Sequence, residues 1–379
     1  MGRWEERRSF PMSCVLLCAT DAGGVRNLIP LLPGIARRGW EGIFVTRSSL
    51  LSLVPSDVLV QRLLLAEDVE GKIEQAFASI GPSAVICGTT CHESADRKFL
   101  RYARQAGVRS VAVMDEWYNY FYRFSASGQQ DPSCLPSVIA LPDDLAVREA
   151  VAEGLPSSLC HATGSPSLAS IWNKGKLWKE VPPKIPAVLA GAGSHPVITF
   201  VSETHALDYG SRPGESGMMG TYIGYTETMV RDLILGTLSS LPHDIVFVEK
   251  PHPSVQGVAL PDHVPANVDY RLARDAPTLE LCAHSDAVVG MRSIALLEAR
   301  LLGCSAISFQ PGLIGAEHCT AVRLGLVPGL RTCDELYSWF RGAMNKSEMQ
   351  AFLEPPLFAH ADAADRVIQL ALGDKLTWV

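Results

Sequence analysis

Two carboxylates stand side by side in the stretch MDEWYNYFYRF, directly after the apolar run SVAVM. A carboxylate held in a cleft can act as a general base, and aromatic side chains offer flat apolar faces to a sugar ring. The stretch therefore predicts a sugar or acceptor site with Asp115 or Glu116 as the catalytic base. The predicted sugar contacts are Trp117, Tyr118, Asn119 and Arg123. The alternative is an aromatic cluster that only packs one domain on the other.

A second candidate is TDAGGVRNLIPLL, residues 20–32, which follows the apolar run CVLLCA. It lacks the GxGxxG pattern of dinucleotide-binding folds. Gly23 and Gly24 would let the backbone approach a ligand closely, and Asp21 beside them is a further candidate base. A plain structural turn explains the glycines equally well.

The stretch VSETHALDYG, residues 201–210, also follows an apolar run. Glu203 and Thr204 are predicted to contact a nucleotide. Two interpretations of His205 remain: it contacts the ligand, or it lies beside the site without contacting the ligand.

The stretch VFVEKPHPS, residues 246–254, places Lys250 and His252 at the end of another apolar run. Prolines on both sides of the histidine restrict its backbone. Lysine and histidine are donors that suit phosphate oxygens, and His252 is also a candidate acid or base.

The fifth candidate is VVGMRSIALLEARLLG, residues 288–303, an apolar run that breaks at Gly290 and resumes as a helix. Arg292 and Ser293 stand where a diphosphate would meet the first amides of that helix. Glu298 interrupts the apolar helix, and a buried carboxylate needs hydrogen-bond donors, which the hydroxyls of a ribose would supply. The run predicts a nucleotide-diphosphate cradle, with a plain strand-to-helix turn as the alternative.

Strand-like runs alternate with helical patterns along the chain, which is typical of parallel sheets with crossover helices. Strands are predicted at residues 14–19, 42–46, 83–88, 110–114, 137–140 and 160–164, and in a second series at 196–203, 244–250, 286–290 and 305–309. Ligands bind at the carboxyl ends of such strands, where all five candidates fall. We expect an α/β protein with two Rossmann-like, doubly wound domains that face a central cleft.

The length of 379 residues favours two domains rather than one. The first is predicted over residues 1–173 and the second over residues 196–379, joined by a linker at 174–195 that is rich in Pro, Gly and Lys. The last helical segment, residues 358–373, could pack on either domain.

Composition narrows the class of protein. Apolar residues make up 47% and charged residues 19% of the chain, as in a globular protein. The formal charge of -7 argues against nucleic acid or an anionic membrane as a standing partner, although a local basic cleft is compatible with that charge. No apolar run is long enough for a transmembrane segment or a signal peptide, so we expect a cytoplasmic protein. The ten cysteines form no CxxC pair, and no metal site is predicted.

Three stretches of the chain resemble the B-type glycosyltransferase (GT-B) fold family. This group includes UDP-N-acetylglucosamine 2-epimerase and the transferases of capsule and teichoic acid synthesis. VREAVAEGLPSSLCHATGSPSL, residues 147–168, resembles the segment that ends the first domain of the epimerases. VFVEKPHPS resembles the KPHP strand of the transferases, and the 288–303 run resembles the donor-binding helix. Its turn reads Gly-Met-Arg-Ser, however, where the epimerases have Ser-Gly-Gly.

The resemblance implies a donor site in the second domain, where Ser293 would bind phosphate, Glu298 ribose, and Lys250 with His252 the donor phosphates. Asp115 or Glu116 would take the place of the family's catalytic residue. The implied activity is glycosyl transfer, as in polysaccharide or natural-product biosynthesis, from a nucleotide sugar to a small-molecule or glycan acceptor. No metal is implied, because these folds bind the diphosphate with helix dipoles and cations and this chain lacks a DxD motif in the matching place. No resident cofactor is implied either, because the nucleotide sugar is a co-substrate.

Two alternatives stay open at this level. An epimerase or hydrolase of the same fold would act on the nucleotide sugar itself, and a non-catalytic relative would only bind it. The apolar helix near residue 300 could serve a homodimer interface as well as a core.

Overall fold

The computed structural model describes residues 13–55, 62–91, 94–126, 129–130, 132–255, 257–344 and 356–373. Its strands are β1 (Cys14–Ala19), β2 (Glu41–Thr46), β3 (Arg62–Leu65), β4 (Ala84–Cys87), β5 (Arg109–Val113), β6 (Ser125–Ala126), β7 (Gln129–Gln130), β8 (Val138–Leu141), β9 (Cys160–Ala162), β10 (Val197–Val201), β11 (Ile245–Lys250), β12 (Val268–Leu272), β13 (Ala287–Gly290), β14 (Ala306–Phe309) and β15 (Gly329–Leu330). Its helices are α1 (Ala22–Leu28), α2 (Leu32–Arg37), α3 (Ala66–Val69), α4 (Ile73–Ile80), α5 (Ala95–Gln105), α6 (Asp144–Ala152), α7 (Pro166–Glu180), α8 (His205–Tyr209), α9 (Glu227–Leu238), α10 (Thr278–Ala283), α11 (Ala295–Leu301), α12 (Thr320–Arg323), α13 (Cys333–Met344) and α14 (Ala363–Leu372).

The chain folds into two compact units. The first runs to Ser170 and takes in the C-terminal residues after Glu354, and the second begins at Ile171. Each unit has its own sheet and its own buried apolar core.

The first unit is built on a seven-stranded parallel sheet with the order β3-β2-β1-β4-β5-β8-β9. Strand β1 is apolar and buried along its whole length, as expected for a parallel strand covered on both faces. The strand order changes direction between β1 and β4. Such a reversal separates the two neighbouring loops at the carboxyl ends and opens a crevice between them.

The second unit repeats this plan with a six-stranded parallel sheet, in the order β12-β11-β10-β13-β14-β15. Here the direction changes between β10 and β13, so the loops after these two strands flank the crevice. The two parallel sheets with their helices confirm the predicted α/β class with two Rossmann-like domains.

The C-terminal helix α14 packs on the first unit. Val367 and Ile368 are fully buried in the same apolar core as β1. At the helix surface, the Arg38 guanidinium lies 2.9 Å from a carboxylate oxygen of Asp365, and Arg109 donates to the Leu370 carbonyl oxygen at 2.5 Å. The structure thereby corrects the predicted second domain of residues 196–379. The amphipathic pattern of α14 predicts a buried face but does not specify which core receives it.

The predicted linker at 174–195 also differs from what the structure shows. Its first residues complete helix α7, and the remainder lies on the second unit. Leu189 packs in an apolar cluster with Val197 and Val246, and Arg271 donates to the Val188 carbonyl oxygen at 2.7 Å. Proline-rich composition correctly indicates irregular backbone after residue 180, but it does not indicate whether that backbone is packed.

The strands beyond those predicted are short, with two to five residues each. Strands β3, β12 and β15 are edge or near-edge strands, and their polar residues or short length hide them from pattern analysis. In the described part of the chain, no helix has the length and apolar character needed to cross a membrane.

Candidate functional site

The loops after β1, β4 and β5 bring polar side chains together at the carboxyl edge of the first sheet. Asp115 forms an ion pair with Arg123, whose guanidinium nitrogen lies 2.7 Å from the carboxylate. The same nitrogen donates to the carbonyl oxygen and the hydroxyl of Thr89, at 2.8 and 2.9 Å. Arg123 is buried. It therefore links the loop after β4 to the loop after β5 and compensates the charge of Asp115.

Asp21 is the second carboxylate of this edge. Its Oδ1 accepts a hydrogen bond of 2.6 Å from the amide of Gly24, which makes Asp21 the N-cap of α1. Burial, and then the negative charge of Asp115, raise the pKa of Asp21 to about 7. A pair of carboxylates in unlike surroundings is a frequent acid–base arrangement, in which one stays ionised and the other exchanges a proton near neutral pH.

The two predicted glycines of this loop, Gly23 and Gly24, leave room for neighbouring groups of the protein. A Cβ atom at Gly23 would lie 1.9 Å from Asp115 Oδ2, so only glycine leaves room for that carboxylate. A Cβ atom at Gly24 would lie 3.3 Å from the Cα of Gly88, at the end of β4. In this structure the close approach predicted for a ligand is made by Asp115 and by a neighbouring strand end.

A third carboxylate, Asp96 in the first turn of α5, lies behind this pair. It accepts hydrogen bonds from the Thr20 hydroxyl at 2.5 Å and from the Ser94 hydroxyl at 3.1 Å. Burial raises its pKa, and its charge in turn contributes to the raised pKa of Asp21. Asp96 was not predicted, because an acidic residue in a first helical turn is ordinary.

The aromatic residues after Asp115 divide into buried and exposed positions. Trp117 is buried, donates to Asp143 at 2.9 Å, and meets the Phe358 ring edge-on with the centroids 5.6 Å apart. Its burial corrects its assignment as a sugar contact. Asn119 has a left-handed backbone with φ of 58°, which asparagine tolerates better than most residues.

Tyr118 and Glu116 keep an open side. Tyr118 is 45% exposed, and the Arg123 guanidinium carbon lies 5.8 Å from its ring centroid. Glu116 is half-buried on the same loop. Of the predicted sugar contacts, Tyr118 is therefore the side chain best placed to meet a ligand.

In the second unit, the loops after β10 and β13 meet through Glu203. Its carboxylate accepts hydrogen bonds from the amides of Arg292 and Met291, at 2.8 and 3.2 Å. Burial raises the pKa of Glu203 to about 7. The turn amides predicted to hold a diphosphate are thus occupied by a carboxylate of the protein, and Glu203 positions the turn.

A hydrogen-bond chain holds the same turn from its other side. The Ser308 hydroxyl donates to the Met291 carbonyl oxygen at 2.6 Å, and the Gln310 amide nitrogen donates to Ser308 at 2.7 Å. The hydroxyl of the buried Tyr225 completes the chain by donating to Gln310 at 2.9 Å. Such a connected network fixes a loop better than any single bond would.

Arg292 and His205 form the centre of this edge. The Arg292 guanidinium carbon lies 5.3 Å from the centroid of the Tyr209 ring. The His205 ring lies between Tyr209 and Tyr225, with centroid distances of 5.7 and 5.2 Å, and is only 4% exposed. Neither of its ring nitrogens has a hydrogen-bond partner among the described residues. Burial, and then the charge of Arg292, lower the pKa of His205 to about 3.

We expect this histidine to make stability depend on pH. The unfolded chain takes up a proton near pH 6.5, but the folded chain does not do so until about pH 3, so the stability contributed by neutral His205 is lost as pH falls. The free energy of unfolding of His205→Phe minus that of the wild type should therefore be about 3 kcal/mol larger at pH 4 than at pH 8. Urea unfolding at both pH values measures this. The exposed His263, changed to Phe, is the control, and equal pH dependence of all three proteins would contradict the expectation.

Other predicted residues of the second unit have local partners. The Lys250 ammonium donates to the Arg274 carbonyl oxygen at 2.6 Å, and the exposed His252 ring nitrogen lies 2.7 Å from the Ser254 hydroxyl. Thr204 donates to Asp208 at 2.6 Å. The structure therefore places Lys250 and His252 at the carboxyl end of β11. Their hydrogen bonds are to Arg274 and Ser254 rather than to Arg292.

Three predicted positions lie in and after the turn. Gly290 is the last residue of β13, and a Cβ atom there would press on Leu296 at 3.2 Å. The Ser293 oxygen accepts a bond of 3.2 Å from the amide of Ala295, the first residue of the following helix, whose N-cap is Ile294. Glu298 is buried on α11. Burial, then Cys304 and the charge of Glu298, raise the pKa of the Cys282 thiol on α10.

The loop after β14 was not predicted as part of the site. There Glu317 forms an ion pair with Arg331, and its neighbour His318 has a lowered pKa because of burial and then of Arg292. The strand-end rule would have found this loop, because QPGLIGAEH directly follows the predicted strand at 305–309. Among the described residues, no three His, Cys, Asp or Glu side chains are grouped to hold a metal ion.

Comparisons with known proteins give a match of fold alone. No family model matches the sequence, and no curated protein does. UDP-GlcNAc 2-epimerase from Neisseria meningitidis, solved bound to UDP-GlcNAc, has a TM-score of 0.67 at 12% identity, over 96% of this chain and 100% of that one. The UDP-GlcNAc 2-epimerase of Methanocaldococcus jannaschii has a TM-score of 0.63 at 11% identity, over 95% and 99% of the two chains.

The glycotransferase of kitacinnamycin is among the similar structures as well, with a TM-score of 0.54 at 13% identity, over 96% of this chain and 95% of that one. MurG from Acinetobacter baumannii has a TM-score of 0.54 at 13% identity, over 95% of this chain and 99% of that one. These similarities extend over nearly the whole of each protein. The chain therefore has the GT-B fold, which UDP-GlcNAc 2-epimerases and glycosyltransferases share.

Proposed function

We propose that the protein is a glycosyltransferase that moves a sugar from a nucleotide-activated donor to an acceptor hydroxyl. The observation that carries this proposal is the pair formed by Asp21 and the Arg123-bound Asp115. A base works best when its pKa lies near the operating pH, and the pKa of Asp21 is about 7. Two adjacent carboxylates repel each other, so the stability of the helices and sheet does not explain why they are paired here.

In the proposed reaction, Asp21 takes the proton of the acceptor hydroxyl. The acceptor oxygen forms a bond to the anomeric carbon while the bond from that carbon to the donor phosphate oxygen breaks. The leaving nucleotide keeps the electron pair of that bond and gains negative charge. Arg292 is the cation of the second unit best placed to bind that phosphate, because Tyr209 orients its guanidinium at the strand ends.

Glu203 limits how the phosphates bind. Because its carboxylate occupies the amides of Met291 and Arg292, phosphate oxygens must bind to side chains, for which Arg292 and the Ser293 hydroxyl are available. Glu298 would then hold the ribose. We propose no metal and no resident cofactor for this reaction, with the nucleotide sugar as co-substrate.

The second candidate is an epimerase or hydrolase acting on the nucleotide sugar. The similarity to the two UDP-GlcNAc 2-epimerase structures favours it, and a base with a pKa near neutrality can also remove a proton from a sugar carbon. A non-catalytic binding protein of the same fold is the third possibility.

One experiment separates these activities. The protein is incubated in heavy water with UDP-, CMP- and GDP-linked sugars, with and without a panel of sugar and glycerol acceptors, and the products are followed by NMR and mass spectrometry. We expect a new glycoside, free of deuterium, that forms only with an acceptor. Deuterium on the sugar carbon without an acceptor would instead identify an epimerase, and free sugar a hydrolase.

Asp115→Asn serves as the control in this assay, because it keeps the shape of the side chain but removes the charge that Arg123 binds. We expect it to form no product. Unchanged nucleotide sugars with both proteins, under conditions where the wild type binds nucleotide, would contradict the transferase proposal and favour the non-catalytic relative.

A further inference from the structure

Residues 172–185, WNKGKLWKEVPPKI, carry a local charge opposite to that of the whole chain. This basic-apolar segment contains four lysines and one glutamate, whereas the formal charge of the protein is -7. It comprises the second half of α7 and the turn after it, all within the second unit. Neither the fold nor the proposed reaction explains its composition.

The segment exposes large apolar side chains. Leu177, Val181 and Ile185 are 57%, 65% and 61% exposed. The Val181 amide donates to the Leu177 carbonyl oxygen at 2.9 Å, so the helical turn continues and the two side chains share one face. Lys174 and the half-buried Trp178 lie on that same face, with the ammonium 5.4 Å from the indole centroid.

This surface is held in place by contacts to the body of the second unit. The His284 ring nitrogen lies 3.0 Å from the carbonyl oxygen of Pro183. The buried Trp172 anchors the start of the segment, and the Lys176 ammonium covers its ring at 4.4 Å from the centroid. The apolar side chains are thus presented on an ordered backbone, which reduces the entropy lost when a partner binds.

We propose that the basic-apolar segment binds the surface of an anionic lipid bilayer. Lysine ammonium groups near such a surface are attracted by its negative potential, and exposed Leu, Val and Ile side chains gain by entering the acyl boundary. Tryptophan rings at the edge of the apolar patch are typical of the bilayer interface. The net negative charge of the chain would keep the remaining surface away from the bilayer, so that this segment sets the orientation.

Two other partners fit the segment less well. In a symmetric dimer the same patch would face its copy, and the lysines would repel across the axis. A soluble polyanion would bind the lysines but would leave Leu177, Val181 and Ile185 in water. Only a partner that is both anionic and apolar uses the whole surface.

Vesicle co-sedimentation tests the proposal without use of catalysis, so its outcome is independent of the proposed function. The full-length protein is mixed with phosphatidylcholine vesicles or with vesicles containing about one third phosphatidylglycerol, at low and high salt. We expect binding only to the anionic vesicles, weakened by salt. Lys174→Gln with Lys184→Gln, and separately Leu177→Gln with Val181→Gln, should each lower the partition constant about tenfold or more.

The matched control is Lys72→Gln with Leu260→Gln, which removes one exposed lysine and one exposed leucine elsewhere on the surface. It should bind like the wild type, and thermal melts should show that all variants are folded. Absence of wild-type binding, binding that is the same for neutral vesicles, or binding that both segment variants retain would overturn the proposal. So would a concentration-dependent dimer, in sedimentation equilibrium, that disappears in the Leu177→Gln and Val181→Gln protein.

Discussion

Asp21→Asn is expected to lower kcat/KM for the proposed transfer by about a hundredfold to ten-thousandfold, the usual contribution of a general base. Asparagine has the same shape but cannot accept the proton. It is also as good an N-cap as aspartate, so α1 should keep its bond from the Gly24 amide. Wild-type kcat/KM should rise with pH through about 7, where Asp21 ionises, and this limb should be absent in the variant.

Stability provides a separate readout for the same variant. Because the folded-state pKa of Asp21 is raised, the stability that it contributes is fully present below pH 3.8 and is lost as pH rises through about 7. Asparagine does not titrate. The variant should therefore gain stability relative to the wild type between pH 4 and 8, by a few kcal/mol. If activity keeps its pH limb and stability its pH dependence, Asp21 is not the titrating group.

Arg123→Met should destabilise the protein by about 3–5 kcal/mol, because it leaves the carboxylate of Asp115 without its partner in a largely buried position. The bonds from Arg123 to Thr89 are lost as well, so the loops after β4 and β5 separate and activity should fall below detection. Urea unfolding measures the first effect and the product assay the second.

A double variant tests the cause. Asp115→Asn in the Arg123→Met background removes the unpaired charge and should recover a large part of the lost stability, but no activity. Arg341→Met is the matched control, since Arg341 is exposed and lies over the Tyr337 ring on α13, away from the strand ends. Additive losses in the double variant would mean that the ion pair contributes nothing and that Arg123 acts through its bonds to Thr89 alone.

The sequence predicts the parallel strands well, because each is a short apolar run bounded by turn residues. Strand β1 is predicted with its exact bounds, and β10, β11, β13 and β14 lie inside the predicted runs. Their burial on both faces gives them a continuous apolar signal. Strand β12 has the sequence VDYRL, in which polar residues alternate with apolar ones, and it was therefore not predicted.

The sequence predicts which loops form the site, but it does not predict which atoms bond to each other within them. The strand-end rule locates Asp21, Asp115, Glu203 and Arg292, because parallel strands bring their carboxyl ends to one edge. It cannot predict that Glu203 turns back to bind the amides beside Arg292, or that Trp117 turns inward to Asp143. Both contacts join residues far apart in sequence, and no local pattern records them.

The proposed function requires that a nucleotide binds the second unit at Arg292. A thermal-shift panel of CMP, CDP, UDP, GDP, dTDP and NAD tests it most directly, with wild type, Arg292→Met, Glu298→Ala and the Arg341→Met control. A ligand at about 100 times its Kd stabilises by about 2.7 kcal/mol, which a melting curve resolves. We predict that one pyrimidine or purine nucleotide, but not NAD, raises the Tm of the wild type and of Arg341→Met and has no effect on Arg292→Met or Glu298→Ala. A shift that Arg292→Met retains, or no shift with any nucleotide, would contradict nucleotide binding at Arg292.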